Sequence, residues 1–414
     1  MAKFNKLATA LLLSFGAVAI APAVNAADKC PIELRKSKAM GQSTGKKIQK
    51  AFKAYGEDLF DESIAILLEA NPKNDFDKAS VARFLGNLYA QKEQYTKALN
   101  QLKLAADTNV LGGTEHADTL RAVADLSMQD KNYKQAIEHY EKWMTFTCKS
   151  DVKVYTLLAV AHVQLKQWDD VIVNADKAIA IADKPIKDLY NAKVNAYFNK
   201  KQNKNAIKVL ETAVQLFDDD GALWRQLAQF YLATENYKQA LATYDLAYKA
   251  GFLESASDIT RLAQLLSQGG SGYKAAKVYN KHLKSGLIEK NAKSFKQLAV
   301  FYQSAKEFKL AADNYGEAAA LDNDPKLYLK QGQFLTLSER YGQAVNAFNK
   351  ALKANIKNRG AVHVELGRAY LELKQYKSAY KSFQLAMKDK KSARTAKGML
   401  SYVKEKAKIH KVSL

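Results

Sequence analysis

From residue 60 onward the apolar positions fall into a block that keeps returning: an aromatic residue, two positions, a small residue, then apolar residues at helical spacing. It runs Phe60-x-x-Ser63, Tyr95-x-x-Ala98, Tyr133-x-x-Ala136, Trp168-x-x-Val171, Asn203-x-x-Ala206, Tyr237-x-x-Ala240, Tyr273-x-x-Ala276, Phe308-x-x-Ala311, Tyr341-x-x-Ala344 and Tyr376-x-x-Ala379. Successive small residues lie 35, 38, 35, 35, 34, 36, 35, 33 and 35 positions apart. Ahead of each block runs a second apolar stripe, such as Ala82, Leu85, Gly86 and Tyr89, or Trp224, Leu227, Ala228 and Tyr231, or Leu366, Gly367 and Tyr370. Each copy therefore predicts two helices joined by a short turn, with small residues where the backbones approach and large ones between hairpins. A period near 35 predicts a stack of such hairpins rather than one irregular core.

These aromatic, Leu-Gly, Tyr, Ala and Phe positions resemble the tetratricopeptide repeat. The resemblance implies an all-α fold, a right-handed superhelical solenoid of about ten hairpins over residues 44–390, read as one domain. Residues 391–414 read as a basic capping helix and tail, with Met399, Leu400 and Val403 toward the last hairpin. Three departures stand out. The first copy has Lys50-Ala51 in place of Leu-Gly, the seventh carries a loose turn at Gln268-Gly269-Gly270-Ser271-Gly272 that reads as one residue too long, and the loop from Asn109 to Thr114 is enlarged. Five prolines and 19 glycines in 414 residues suit helices and argue against an all-β fold.

The start of the chain changes the compartment. Lys3 and Lys6 precede a nearly unbroken apolar stretch from Leu7 to Ala21, and Val24-Asn25-Ala26 offers small residues at a cleavage point. That is the form of a secretory signal peptide over residues 1–26, so we expect export to the periplasm and no stable membrane span. Residues 27–43 form an N-terminal arm ahead of the first repeat. In an oxidising compartment Cys30 and Cys148 have one intramolecular pairing, which would pin the arm to the stack; two free thiols or an intermolecular pair are the alternatives.

Export also changes how the net charge of +22 is read, or +20 once Lys3 and Lys6 are removed. Outside the cytosol the anionic candidates are lipid headgroups, lipopolysaccharide, cell-wall polymers and acidic protein segments, not nucleic acid. Lysines spread along all the repeats also fit solvated outer faces.

Tetratricopeptide solenoids hold partners in a concave groove lined by the first helix of each hairpin. The position after the small first-helix residue reads Asn87, Asp125, Val160, Asn195, Gln229, Gln264, Val300, Gln333 and Arg368, rich in amides that both donate and accept. One turn earlier come Arg83, Arg121, Thr156, Asn191, Arg225, Thr260, Lys296, Leu329 and Val364. Such a row can pair the backbone of an extended chain, with arginines adding bonds to carboxylates. Arg83-x-x-x-Asn87 resembles the first element of the carboxylate clamp of chaperone-binding members, with Lys153 at a later basic position, but Ala122 and Leu157 depart from the clamp.

The six histidines show no metal-ligand spacing, and no nucleophile elbow, phosphate loop or dinucleotide fingerprint occurs. We expect no metal, no cofactor and no enzyme activity. Two readings remain, a scaffold for protein partners and a binder of anionic envelope polymers or lipids, and they separate by salt dependence. The segment Cys30-Pro31-Ile32-Glu33-Leu34 ahead of a long array resembles periplasmic tetratricopeptide proteins encoded beside TonB systems of marine gammaproteobacteria, which implies an accessory of TonB-dependent transport.

Overall fold

Nine of the ten repeat landmarks open the second helix of a hairpin. The computed structural model describes residues 29–414, and the expected signal peptide lies outside the described residues. Among them the fold is all-helical and divides into two compact units, one up to Lys184 and one from Pro185. In the first, a short α1 (Pro31–Leu34) precedes the hairpins α2 (Gln42–Gly56) with α3 (Phe60–Leu68), α4 (Asp75–Gln91) with α5 (Tyr95–Asp107), α6 (Gly113–Gln129) with α7 (Tyr133–Thr147), and α8 (Val152–Gln164) with α9 (Trp168–Ile181). The second begins with α10 (Lys187–Asn199) and α11 (Asn203–Leu216), then α12 (Gly221–Ala233) with α13 (Tyr237–Lys249), and α14 (Ala256–Gln268) with α15 (Gly272–Lys284). It continues with α16 (Ala292–Ser304) and α17 (Phe308–Asp322), α18 (Pro325–Leu337) and α19 (Tyr341–Lys353), α20 (Arg359–Glu372) and α21 (Tyr376–Ala386), and ends in α22 (Ala393–Ile409). The first helix of each hairpin is its A helix, the second its B helix.

The small landmark of every B helix, from Ser63 and Ala98 to Ala344 and Ala379, is fully buried. Four residues on, the B helix sends a large side chain against the small A-helix residue: Phe348 has no exposure, and a Cβ on Gly332 would stand 2.4 Å from its ring. The same opposition sets Leu102 against Gly86 and Phe383 against Gly367. Close approach of the two backbones and filling of the gap are thus one interaction, repeated. The expected cap is present: α22 buries Val403 and Ala407, with Met399 and Leu400 packed beside them, against Phe383 and Ala386.

The seventh hairpin corrects the sequence register. Its A helix ends at Gln268 and its B helix starts at Gly272, leaving a turn of three residues, as in the hairpin of Gln91 and Tyr95. The turn is therefore not lengthened. Gly272 holds the landmark place, Ala275 the small position, and Tyr273 stands one residue too late, 52% exposed. Ala275 and Ala276 are both buried, so two adjacent alanines made both registers fit the pattern.

The A-to-B turns share one backbone form. The residue two places before each B helix has positive φ: Asp58, Glu93, Lys131, Lys166, Lys201, Glu235, Gly270, Lys306, Glu339 and Lys374. The next amide then donates back to the carbonyl five residues earlier, as from Gln94 to Tyr89 and from Gln375 to Tyr370. That is the Schellman closure of an A helix, with a side chain held where glycine is favoured. Replacing Lys166, Glu235 or Lys306 by glycine is expected to raise stability by about 0.5–1 kcal/mol each, read from urea midpoints; a loss would show that these side chains stabilise the turn.

The enlarged loop receives the arm. Cys30 and Cys148 are joined, 118 positions apart in sequence. From there the arm runs past the N-terminal ends of α6 and α4 to the start of α2. The Gly113 amide donates to the Arg35 carbonyl at 2.9 Å, Arg35 donates to Asn109 at 2.7 Å, and the Gly41 amide donates to Asp77 at 3.0 Å. A Cβ on Gly113 would lie 2.2 Å from the Ile32 carbonyl oxygen, which is why the loop carries glycine there.

Beneath the arm, His116 packs edge-on against Phe146 at 4.8 Å, with the Arg35 guanidinium over the same ring. Burial, then the charges of Arg35 and Lys142, bring the His116 pKa from 6.5 to about 4. The fold therefore favours neutral His116. That contribution is complete above pH 6.5 and lost as pH falls toward about 4, a change of about 3 kcal/mol. Urea unfolding at pH 7 and pH 4 should show wild type losing about 3 kcal/mol more than His116→Gln; parallel losses would exclude His116 as the cause.

Candidate functional site

The face of the A helices that the hairpin packing leaves open carries the predicted positions. Asn87, Asn195 and Gln229 are exposed, and Asp125, Gln264 and Gln333 are half-buried. One turn earlier Asn191 and Lys296 are exposed, while Arg83, Arg121 and Arg225 are half-buried. Lys153 stands exposed in the first turn of α8.

In the first unit the arginines already have partners. Arg83 faces Glu115 at 3.8 Å and Asp118 at 3.7 Å, both on the next A helix. Arg121 faces Asp125 at 3.6 Å and Asp151 at 3.8 Å, and lies over the Trp143 ring at 5.0 Å. Asp125 also accepts from the Tyr140 hydroxyl at 2.5 Å. Burial, reinforced by that carboxylate, pushes the Tyr140 phenol well above its ordinary range. Arg83 and Arg121 thus cross-brace successive hairpins through carboxylates of their own chain. Sequence spacing showed the arginines and Asp125 but not Glu115, Asp118 and Asp151, which sit in the following repeat.

Beside Arg83 and Asn87 lies a cleft of about 470 Å³ that the sequence pattern did not indicate. Ile48, Phe52 and Tyr55 of α2 form one wall, Phe84 and Leu88 of α4 the other, and Met40 of the arm closes one side. The Phe52 and Phe84 ring centroids are 5.6 Å apart, yet Phe52 remains 61% exposed. Arg83, Asn87, Gln91 and Glu115 give the cleft a polar edge. The signal was available as Ile48, Phe52 and Tyr55, spaced four and three apart, but the first copy lacks the landmarks that would orient its helix.

In the second unit, Gln229 lines a separate cleft of about 550 Å³ with Tyr237, Tyr244, Asp258 and Arg261. Burial raises the Tyr244 phenol, and Asp258 adds to the effect. Arg225 donates to the Phe252 carbonyl at 2.8 Å and so also braces the fold. Asn195 accepts from Asn199 at 2.8 Å, and Phe198, 59% exposed, meets Phe230 edge-on at 5.8 Å. Open aromatics beside side-chain amides thus occur in both units, an arrangement suited to a polypeptide that offers backbone groups and an apolar side chain together.

Two family models described as tetratricopeptide repeat match residues 197–252 and residues 338–393. No curated protein matches the chain. Similar solved structures include the MamA protein, at 16% identity over 42% of this chain and 92% of that one, with a TM-score of 0.35. Another is the TPR2AB domain of yeast Sti1 in complex with pHSP90, at 18% identity over 66% of this chain and 99% of that one, TM-score 0.34. YrrB, described as a TPR protein with an unusual peptide-binding site, is 19% identical over 46% of this chain and 97% of its own, TM-score 0.36.

Proposed function

Because the chain belongs to the tetratricopeptide-repeat family, we propose that it is a non-enzymatic scaffold that binds an extended segment of a partner protein on the open face of its A helices. The observation that carries this is the cleft of α2 and α4, where Phe52 stays 61% exposed beside the amides of Asn87 and Gln91. Water gains nothing from an open aromatic wall, and a partner's apolar side chain would cover it while the amides pair its backbone. In the second unit Asn195, Gln229 and Gln264 offer the same backbone chemistry.

Export to the periplasm is part of this proposal, supported by the form of residues 1–26 and by the Cys30–Cys148 bond, which suits an oxidising compartment. A place beside a TonB-dependent transport system is the narrower form of the same reading, supported by the arm sequence Cys30-Pro31-Ile32-Glu33-Leu34.

Quantitative affinity capture from intact periplasm tests it with three chains: wild type, Phe52→Ser/Asn87→Ala, and Asn195→Ala/Gln229→Ala. One protein retained by wild type and depleted at least tenfold by either pair is the expected result. Identical partner lists for all three would end the proposal. Phe52 is mostly exposed, so its substitution should move stability by no more than about 0.5 kcal/mol, and circular dichroism melts check that the binding change is not unfolding.

A further inference from the structure

Positive charge is not evenly spread over the folded chain. From Tyr376 to Leu414 there are eleven Lys and Arg residues against only Asp389 and Glu405, so 39 residues carry +9 of the total +22. Among the described residues none of these eleven forms an ion pair. We propose that this end of the second unit, built by α21 and α22, docks onto a bilayer surface rich in anionic phospholipid.

Helical geometry makes the charge directional. α22 turns Ala396, Val403 and Ala407 into the core. On its free side Arg394, Lys397, Lys404 and Lys408 follow at intervals of three, seven and four, one ribbon about 21 Å long. Lys377, Lys381 and Lys388 form a second exposed row along α21 and just beyond its end. Lys404 lies over the Tyr380 ring at 5.7 Å, which links the two helices beneath the cations.

The apolar groups at this end favour a lipid surface over an acidic protein. Tyr402 is 47% exposed, Ile409 62% and Leu414 44%, outside the buried stripe of α22. Side chains of this kind enter the boundary between headgroups and acyl chains while neighbouring lysines reach back to phosphates. An acidic protein would match the charge but leave these three side chains without a role. The inference concerns the charged end of the second unit and is independent of the A-helix face, so either can fail alone.

The test is flotation of the purified full chain with phosphatidylcholine vesicles containing no phosphatidylglycerol or about one third of it, at about 0.1 M salt. Binding is expected to be at least tenfold stronger to the anionic vesicles, and to fall at least tenfold in R394Q/K397Q/K404Q/K408Q. A second variant, K46Q/K50Q/K103Q/K131Q, removes the same charge elsewhere and should bind as wild type. Y402S/I409S should bind more weakly and release at lower salt. Equal loss in the two lysine-depleted variants would overturn the proposal, because net charge alone would then account for binding. So would equal binding to both vesicle types, competition by millimolar glycerol phosphate, or binding to polyglutamate with none to vesicles. Circular dichroism melts of all four chains exclude unfolding as the source of a loss.

Discussion

Serine in place of Cys148 should lower the stability of the first unit by about 4–5 kcal/mol, the effect expected from freeing a closed loop of more than one hundred residues. The arm's other contacts do not replace the bond. Arg35 to Asn109 and Gly41 to Asp77 are solvent-accessible or partly accessible hydrogen bonds, each contributing about 1 kcal/mol, and they persist only while the arm is held near. Urea unfolding followed by tryptophan fluorescence, with and without a thiol reductant, measures the loss. Reduced wild type and Cys148→Ser should superimpose, and both should fall well below oxidised wild type. If oxidised wild type and Cys148→Ser unfold together, the bond contributes nothing to equilibrium stability.

Alanine in place of Phe348 should cost about 3–5 kcal/mol, because the ring is fully buried and closes the space left by Gly332. The reverse intrusion should also be costly. Gly332→Ala puts a methyl group 2.4 Å from that ring, and moving it should cost about 1–3 kcal/mol despite alanine's better helix propensity. The two effects are coupled. In a Phe348→Leu background the added methyl should be neutral or stabilising. A double-mutant cycle by thermal unfolding of the four chains measures the coupling, and strict additivity would show that the glycine is not there to admit the ring.

The sequence was most legible where large and small residues alternate with a fixed period. Phe60, Tyr95, Tyr133, Trp168, Tyr237 and Phe308 each open a B helix, because the period records burial and burial is what the packing repeats. It was ambiguous where burial is the same in two registers, as at Ala275 and Ala276. The left-handed turn residues were not legible at all. Lysine and glutamate fill eight of these ten positions, and neither residue marks a turn by its type, since the Schellman bond is made by the backbone and leaves the side chain free.

The candidate site was legible as a face but not as a set of contacts. Asn87, Asn195 and Gln229 are exposed where their helical positions predicted. Arg83 and Arg121 read as ligand-binding cations until Glu115, Asp118 and Asp151 are seen across the gap to the next hairpin. The aromatic cleft escaped because Phe52 belongs to the most degenerate copy, and because one side is closed by Met40 of the arm, whose path depends on a bond between distant cysteines.

A stack in which each hairpin leans only on its neighbours loses its ends first, since a terminal hairpin has one neighbour and an inner one has two. The arm removes that asymmetry at the N-terminal side. Bonded to the end of α7 and joined to the start of α2, it closes the first three hairpins into a ring, so that opening the first strains the third. Amide hydrogens of α2 and α3 should then exchange on the timescale of those in α6 and α7 while the ring is oxidised, and separate from them once it is reduced.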